Sequence, residues 1–171
     1  KLHADEIVQT GGAELAAELE AISADHLLQA SEEGIRQMAA TGVVATLLPA
    51  TAFSLKEPYA RGRYMIDSDC AVALATDFNP GSCFTESIPL IFALATLYMD
   101  ITTEEAITAL TINAAAAIDR ADTIGKPGDL AVLEYPSYKF IPYHIGINTV
   151  DQVVKKGNLV FDREKGGITY C

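Results

Sequence analysis

Ala71-Val72-Ala73-Leu74-Ala75-Thr76-Asp77-Phe78-Asn79-Pro80-Gly81 decides the architecture. A wholly apolar run, long enough for one strand, ends on a threonine and a carboxylate and then breaks at Asn-Pro-Gly. A strand apolar on both faces must be covered on both faces, which is the condition of a parallel sheet between helices. Val43–Leu48 repeats the pattern upstream and stops at Pro49. Lys1–Ala4 and Ile22–His26 supply two more short strands. Between these strands lie helix-forming stretches at Ala13–Ala21, at Ser31–Thr41 with Gly42 in the C′ place, and more weakly at Tyr59–Ile66. Ser87–Tyr98 and Thr103–Ile118 follow, with Thr102 and Glu105 spaced as a capping box. Residues 1–118 thus read β-α-β-α-β-α-β-α-α, an α/β fold with a parallel sheet.

The remainder changes character. Gly125-Lys126-Pro127-Gly128 reads as a turn and Asp129–Tyr135 as a strand, and 136–148 is rich in Tyr, Pro and Gly. Val150–Lys155, Lys156-Gly157 and Asn158–Phe161 then make a hairpin. The expected division is 1–127 for the helix-and-parallel-strand part and 128–171 for a small β part, with no internal repeat.

Composition narrows the function classes. The 171 residues, half of them hydrophobic and a fifth charged, suit about one domain with a buried core and exclude disorder. A formal net charge of −11 argues against nucleic acid or an anionic membrane as partner. Three cysteines, Cys70, Cys83 and Cys171, are too few for a disulfide framework and point to a reducing cytoplasm. No apolar run approaches a membrane span, and no signal peptide is expected. The start at Lys1 rather than Met is expected to reflect processing or a longer parent.

Polar residues at the carboxyl ends of parallel strands are the places to look for chemistry, because ligands bind there in open α/β sheets and in barrels. Three strands end this way: His3-Ala4-Asp5-Glu6, Ser23-Ala24-Asp25-His26 and Thr76-Asp77. Imidazole nitrogens and carboxylate oxygens converging on one rim suit a hydrolytic metal site. Zinc or iron takes such ligands and makes bound water easier to deprotonate, and a rim carboxylate can accept the proton. A single His or Asp after a strand is more often a cap or a turn residue. His144 fits that bland reading, as do Asp67 and Asp69. Glu32-Glu33 and Glu104-Glu105 complement helix N-termini, and Cys83 lacks a base and reads as a small buried group. Asn79-Pro80-Gly81-Ser82 is either a turn or a source of backbone N–H groups for a carboxylate.

The runs His3-Ala4-Asp5-Glu6-Ile7, Gly11-Gly12-Ala13-Glu14-Leu15-Ala16, Ser23-Ala24-Asp25-His26-Leu27 and Ala75 to Ser82 resemble the imidazolonepropionase family of the amidohydrolase superfamily. Thr111-Ile112-Asn113-Ala114-Ala115 and Gly128-Asp129-Leu130-Ala131 resemble features shared more widely in that superfamily. The resemblance covers essentially the whole chain in order. It implies the carboxyl-terminal half of a metal-dependent TIM (β/α)8 barrel, with strands five to eight, plus part of a small β-sandwich domain. The implied activity is hydrolysis of 4-imidazolone-5-propionate to N-formimino-L-glutamate in histidine degradation, with one zinc or iron ion. By resemblance, His3 is a metal ligand and Asp77 is both metal ligand and general base. Glu6 hydrogen-bonds the substrate ring, His26 polarises the carbonyl, and Asn79, Gly81 and Ser82 hold the substrate.

The family's His-x-His strand, its second to fourth barrel strands and the arginine that grips the propionate have no counterpart in this sequence. The chain alone is therefore expected to be inactive, its partner being the missing amino-terminal half of the barrel or a second copy forming a homodimer. Two alternatives stand beside this reading. One is another cyclic amidohydrolase or deaminase of similar layout. The other is a non-catalytic half-barrel module.

Overall fold

In the computed structural model, which describes residues 1–125 and 128–168, four strands lie side by side in sequence order. Lys126 and Pro127 of the expected turn, and Cys171, fall outside the described residues. Strands β1 (Leu2–Ala4), β2 (Ser23–His26), β3 (Val44–Leu47) and β4 (Val72–Leu74) all pair parallel. His3 stands opposite Asp25, Asp25 opposite Thr46, and Thr46 opposite Ala73, so these four share one face of the sheet. Every residue of β2, β3 and β4 is buried, as the apolar runs of β3 and β4 require.

Helices make each crossover: α1 (Gly12–Glu18), α2 (Glu32–Thr41), and then α3 (Pro49–Leu55) with α4 (Gly62–Asp67). After β4 come α5 (Ile88–Tyr98), α6 (Thr103–Leu110) and α7 (Ile112–Ala116). The ends are set locally. Ser31 Oγ accepts the Gly34 N–H at 2.8 Å, and Gly42 closes α2 at φ 76°. The fully buried side chains of Leu27, Ile35, Met38, Leu47, Ile91 and Phe92 form the centre of the core. Gly34 lets α2 approach α1, since a Cβ there would stand 2.7 Å from the Ala13 Cβ. Gly34→Ala is expected to destabilise by about 1–2 kcal/mol through overpacking. The check is a lower urea midpoint at unchanged slope.

The Thr102–Glu105 capping box forms as its spacing predicts. The Arg63 guanidinium also grips Glu105, with Nη1 donating at 2.9 and 3.1 Å and Nη2 at 3.1 Å. Those bonds outweigh the opposing effect of burial and hold the Glu105 carboxyl at about 2. A depressed carboxylate stabilises the fold above its ordinary value of 4.5, and that contribution is lost as the pH falls through about 2. Glu105→Gln should therefore cost about 1 kcal/mol at neutral pH. It should also remove part of the decline in urea midpoint between pH 5 and pH 2.

Three elements depart from the sequence expectation. The single helix expected over Thr103–Ile118 is two helices, broken at Thr111 (φ −122°, ψ −84°). The break lets Asn113 donate its Nδ2 to the Val72 carbonyl at 2.8 Å. Pro49, expected only to end a strand, opens α3, because the first helical turn does not need its missing N–H. Within the irregular stretch, Phe140–Tyr143 forms a short helix, α8, and Tyr138 and Ile141 pack against the main core.

The remaining strands are antiparallel and sequential: β5 (Leu130–Leu133), β6 (Val150–Lys155), β7 (Asn158–Asp162) and β8 (Gly167–Ile168). Lys156 (φ 50°) and Gly157 (φ 79°) make the tight β6–β7 turn with both residues left-handed. No helix among the described residues is long and apolar enough to cross a membrane.

In the parallel sheet, β1 and β4 each have one strand neighbour. Ala71 O accepts from Ala45 N–H, and Ala75 N–H donates to Leu47 O. Alternation along β4 therefore turns the backbone groups of Val72 and Leu74 away from β3, toward the unpaired side. Apolar side chains flank both sides of the sheet: Leu15, Leu19 and Ile22 near β1, and Ile112 and Ile118 near β4, all exposed.

Candidate active site

Three loops at the carboxyl ends of the strands build the rim. The first is braced by Asp5, a buried residue at φ 47°. Its carboxylate accepts the backbone N–H groups of Thr10 (2.7 Å), Gly12 (3.1 Å) and Ala13 (2.9 Å). Burial alone would push the Asp5 carboxyl up, but these hydrogen bonds together hold it below its ordinary value. Asp5 thus ties the loop that carries Glu6 to the start of α1.

The second loop is tied to the first through the backbone, with Leu27 N–H donating to Ala4 O at 3.0 Å and Gln29 N–H to Asp5 O at 2.8 Å. His26, at φ 73°, is 3% exposed. Its Nε2 lies 2.9 Å from His3 Nδ1, and its Nδ1 lies 3.5 Å from Glu6 Oε1. With both rings neutral, one proton arrangement avoids setting a lone pair against the carboxylate, the Nδ1 contact being too long for a hydrogen bond. His3 donates from Nδ1 to His26 Nε2, and His26 carries its own proton on Nδ1, facing Glu6. That tautomer leaves the Nε2 lone pair of His3, an exposed residue, free for a ligand.

Asp77, at φ 52°, opens the third loop. Its Oδ2 accepts the Thr51 hydroxyl at 2.8 Å. The Asn79 amide then organises the turn: Nδ2 donates to Asp77 O and Ser82 Oγ, and Oδ1 accepts the N–H groups of Gly81 and Ser82, both at 2.8 Å. Cys83 is buried, its thiol 3.1 Å from Thr76 O, in keeping with a small packing group. His144 sits among Tyr135, Phe140 and Tyr143, away from these loops.

The structure thus brings His3, Glu6 and His26 into contact and places Asp77 at the other end of the sheet. Three strand spacings separate β1 from β4, roughly 14 Å along the sheet. A cavity of about 160 Å³ lies beside the first group, lined by Glu6, His26, Leu28, Thr51, Leu55 and Glu57; Asp77 is not part of its lining. A larger cleft of about 500 Å³, between the start of α5 and β5–β6, has Glu86 as its one ionisable side chain and does not suit the chemistry. Among the described residues no group of three or more His, Cys, Asp or Glu is close enough to hold a metal ion. The donors themselves suit zinc or iron, but His3 and Asp77 are two where a catalytic site uses three or more. Thr51 is the site residue that sequence reasoning missed, since a threonine in an Ala-rich turn carries no signal of its own.

No protein-family model matches the chain. In sequence it is 68% identical over 168 residues to the imidazolonepropionase of Clostridium tetani, covering 95% of this chain and 40% of that protein. It is 66% identical over 164 residues to the imidazolonepropionase of Bacteroides fragilis, covering 93% and 39%. The chain therefore spans about two fifths of the length of the curated relatives it matches. In structure it resembles a zinc-bound adenosine deaminase from Xanthomonas campestris (TM-score 0.79, 17% identity, 99% of this chain and 46% of that one). It also resembles a zinc complex of atrazine chlorohydrolase from Arthrobacter aurescens (TM-score 0.74, 18% identity, 95% and 44%). These likenesses identify the fold as half of an amidohydrolase (β/α)8 barrel with part of its small β unit.

Proposed function

We propose that the chain belongs to the imidazolonepropionase family and is the carboxyl-terminal part of a cytoplasmic enzyme of histidine degradation. That enzyme hydrolyses the ring C–N bond of 4-imidazolone-5-propionate to N-formimino-L-glutamate. The observation that carries this reading is the ordered set at the strand ends, His3 with His26 and Glu6 on one side and Asp77 on the other, in a chain 68% identical to a protein of that name. Residues 1–127 would be the barrel part and 128–171 the small β domain. The unpaired sides of β1 and β4 would be covered by the rest of the barrel, which would also supply the further metal ligands.

On this reading His3 and Asp77 would be two of the residues that hold a zinc or iron ion. When bound, the ion supplies Lewis acidity that makes water in the site more acidic. Asp77 takes the proton of the attacking water at its carboxylate and returns it to the ring nitrogen as the C–N bond breaks. Glu6 accepts a hydrogen bond from the ring N–H, and His26, with its Nδ1–H turned from Glu6 to the substrate, steadies the carbonyl oxygen as it gains charge. A propionate carboxylate would need the Gly81 and Ser82 N–H groups that Asn79 Oδ1 takes in the structure, so binding would exchange one acceptor for another.

The test is to express the complete polypeptide that carries these residues, load it with zinc or iron, and follow imidazolone propionate by its ring absorbance. Ring opening with stoichiometric N-formiminoglutamate supports the reading. Ammonia release from cytosine or guanine, with no imidazolone turnover, would favour a deaminase. Inactivity on all of them would leave a half-barrel binding module.

A further inference from the structure

We propose that Thr51 is a positioning residue that fixes the Asp77 carboxylate, so that one oxygen is held by the protein and the other is left for the ion and the reacting proton. The proposal rests on the metal-hydrolase reading above and deepens it. Thr51 lies in the first turn of α3, directly after β3, and is 3% exposed. Its Oγ1 donates to Asp77 Oδ2 at 2.8 Å, across 26 residues of sequence. No hydrogen bond from the described residues reaches Asp77 Oδ1. A carboxylate on an exposed loop has two interchangeable oxygens and free rotation about its side-chain bonds. A buried hydroxyl on one of them removes that freedom before any ligand arrives.

Two further features place this hydroxyl in the site rather than in the core. Thr51 also lines the 160 Å³ cavity that Glu6 and His26 line. Asp77 itself sits at φ 52°, in the left-handed region that aspartate adopts more readily than most residues, where the chain leaves β4 for its loop. The hydroxyl therefore couples α3 to the β4–α5 loop at the one carboxylate on that loop with a proposed chemical role.

The experiment compares Thr51→Val, which keeps shape and loses the hydroxyl, with Thr51→Ser, which keeps the hydroxyl, in the complete polypeptide. Zinc affinity by chelator competition is measured beside kcat and KM for imidazolone hydrolysis. Thr51→Val is expected to weaken zinc binding and to lower kcat, each by about tenfold, with KM changed less than about threefold. Thr51→Ser should restore both to within about threefold of the unaltered enzyme. If Thr51→Val does not fold by circular dichroism, Thr51→Ala takes its place in the comparison. Zinc affinity and kcat within twofold of the unaltered enzyme in a folded Val or Ala variant would overturn the proposal while leaving the hydrolase reading intact. An unaltered polypeptide that holds no metal would overturn both.

Discussion

Asp77→Asn is expected to lower turnover of the completed enzyme by about a thousandfold. Asparagine is nearly isosteric and keeps an oxygen able to accept the Thr51 hydroxyl, so the loop has no reason to rearrange. What disappears is the negative charge toward the ion and the basic site for the proton of water. Both losses fall on the same chemical step, so they should appear in kcat rather than in KM. Steady-state kinetics and a thermal melt, run together, separate this from a folding defect. A variant that melts within about 2 °C of the parent, less than 1 kcal/mol apart, and turns over at a tenth of its rate would remove Asp77 from the proposed base role.

Asp5→Ala should be the most damaging single change to the fold around the rim, costing about 3 kcal/mol. The side chain accepts N–H groups at the start of α1 that the helix itself cannot satisfy, including that of the fully buried Ala13. Alanine leaves these donors without a partner and frees the loop that carries Glu6. Because the Asp5 carboxyl is held below its ordinary value, its contribution is complete at neutral pH and declines only in acid, below about pH 4. Urea unfolding at pH 7 and at pH 3 should therefore show a larger gap between parent and variant at pH 7. An equal gap at both would mean the loss comes from packing rather than from the carboxylate.

The alternation of strand and helix over residues 1–118 was legible because burial on both faces writes itself into composition, as in Val43–Leu48 and Ala71–Ala75. Caps were legible for the same local reason, Gly42 on α2 and Thr102 with Glu105 on α6, while Ser31, read as the first residue of α2, is its cap. What escaped depended on contacts distant in sequence. The break at Thr111-Ile112-Asn113 has good helix formers on either side and serves the long-range bond from Asn113 to Val72. Pro49 begins a helix as readily as it ends a strand, and only the fold decides between them. At the rim, His3, Glu6, His26 and Asp77 stood out as strand-end residues. Asp5 lies in the same strand-end run but acts through its neighbours, and nothing in the sequence around Thr51 marks it.

The Asn113 side chain has a consequence for how such a chain survives before its flanks are covered. An unpaired strand templates the growth of other strands upon it, the usual route to fibrous aggregates. On β4, the first outward-facing carbonyl is already occupied by the Asn113 amide. A foreign strand could pair only from Leu74 onward, where the chain leaves the sheet for the loop that begins at Thr76. A docking sheet in the right register would find the same short landing. The side-chain plug therefore shortens the sticky edge that β4 offers to any partner strand.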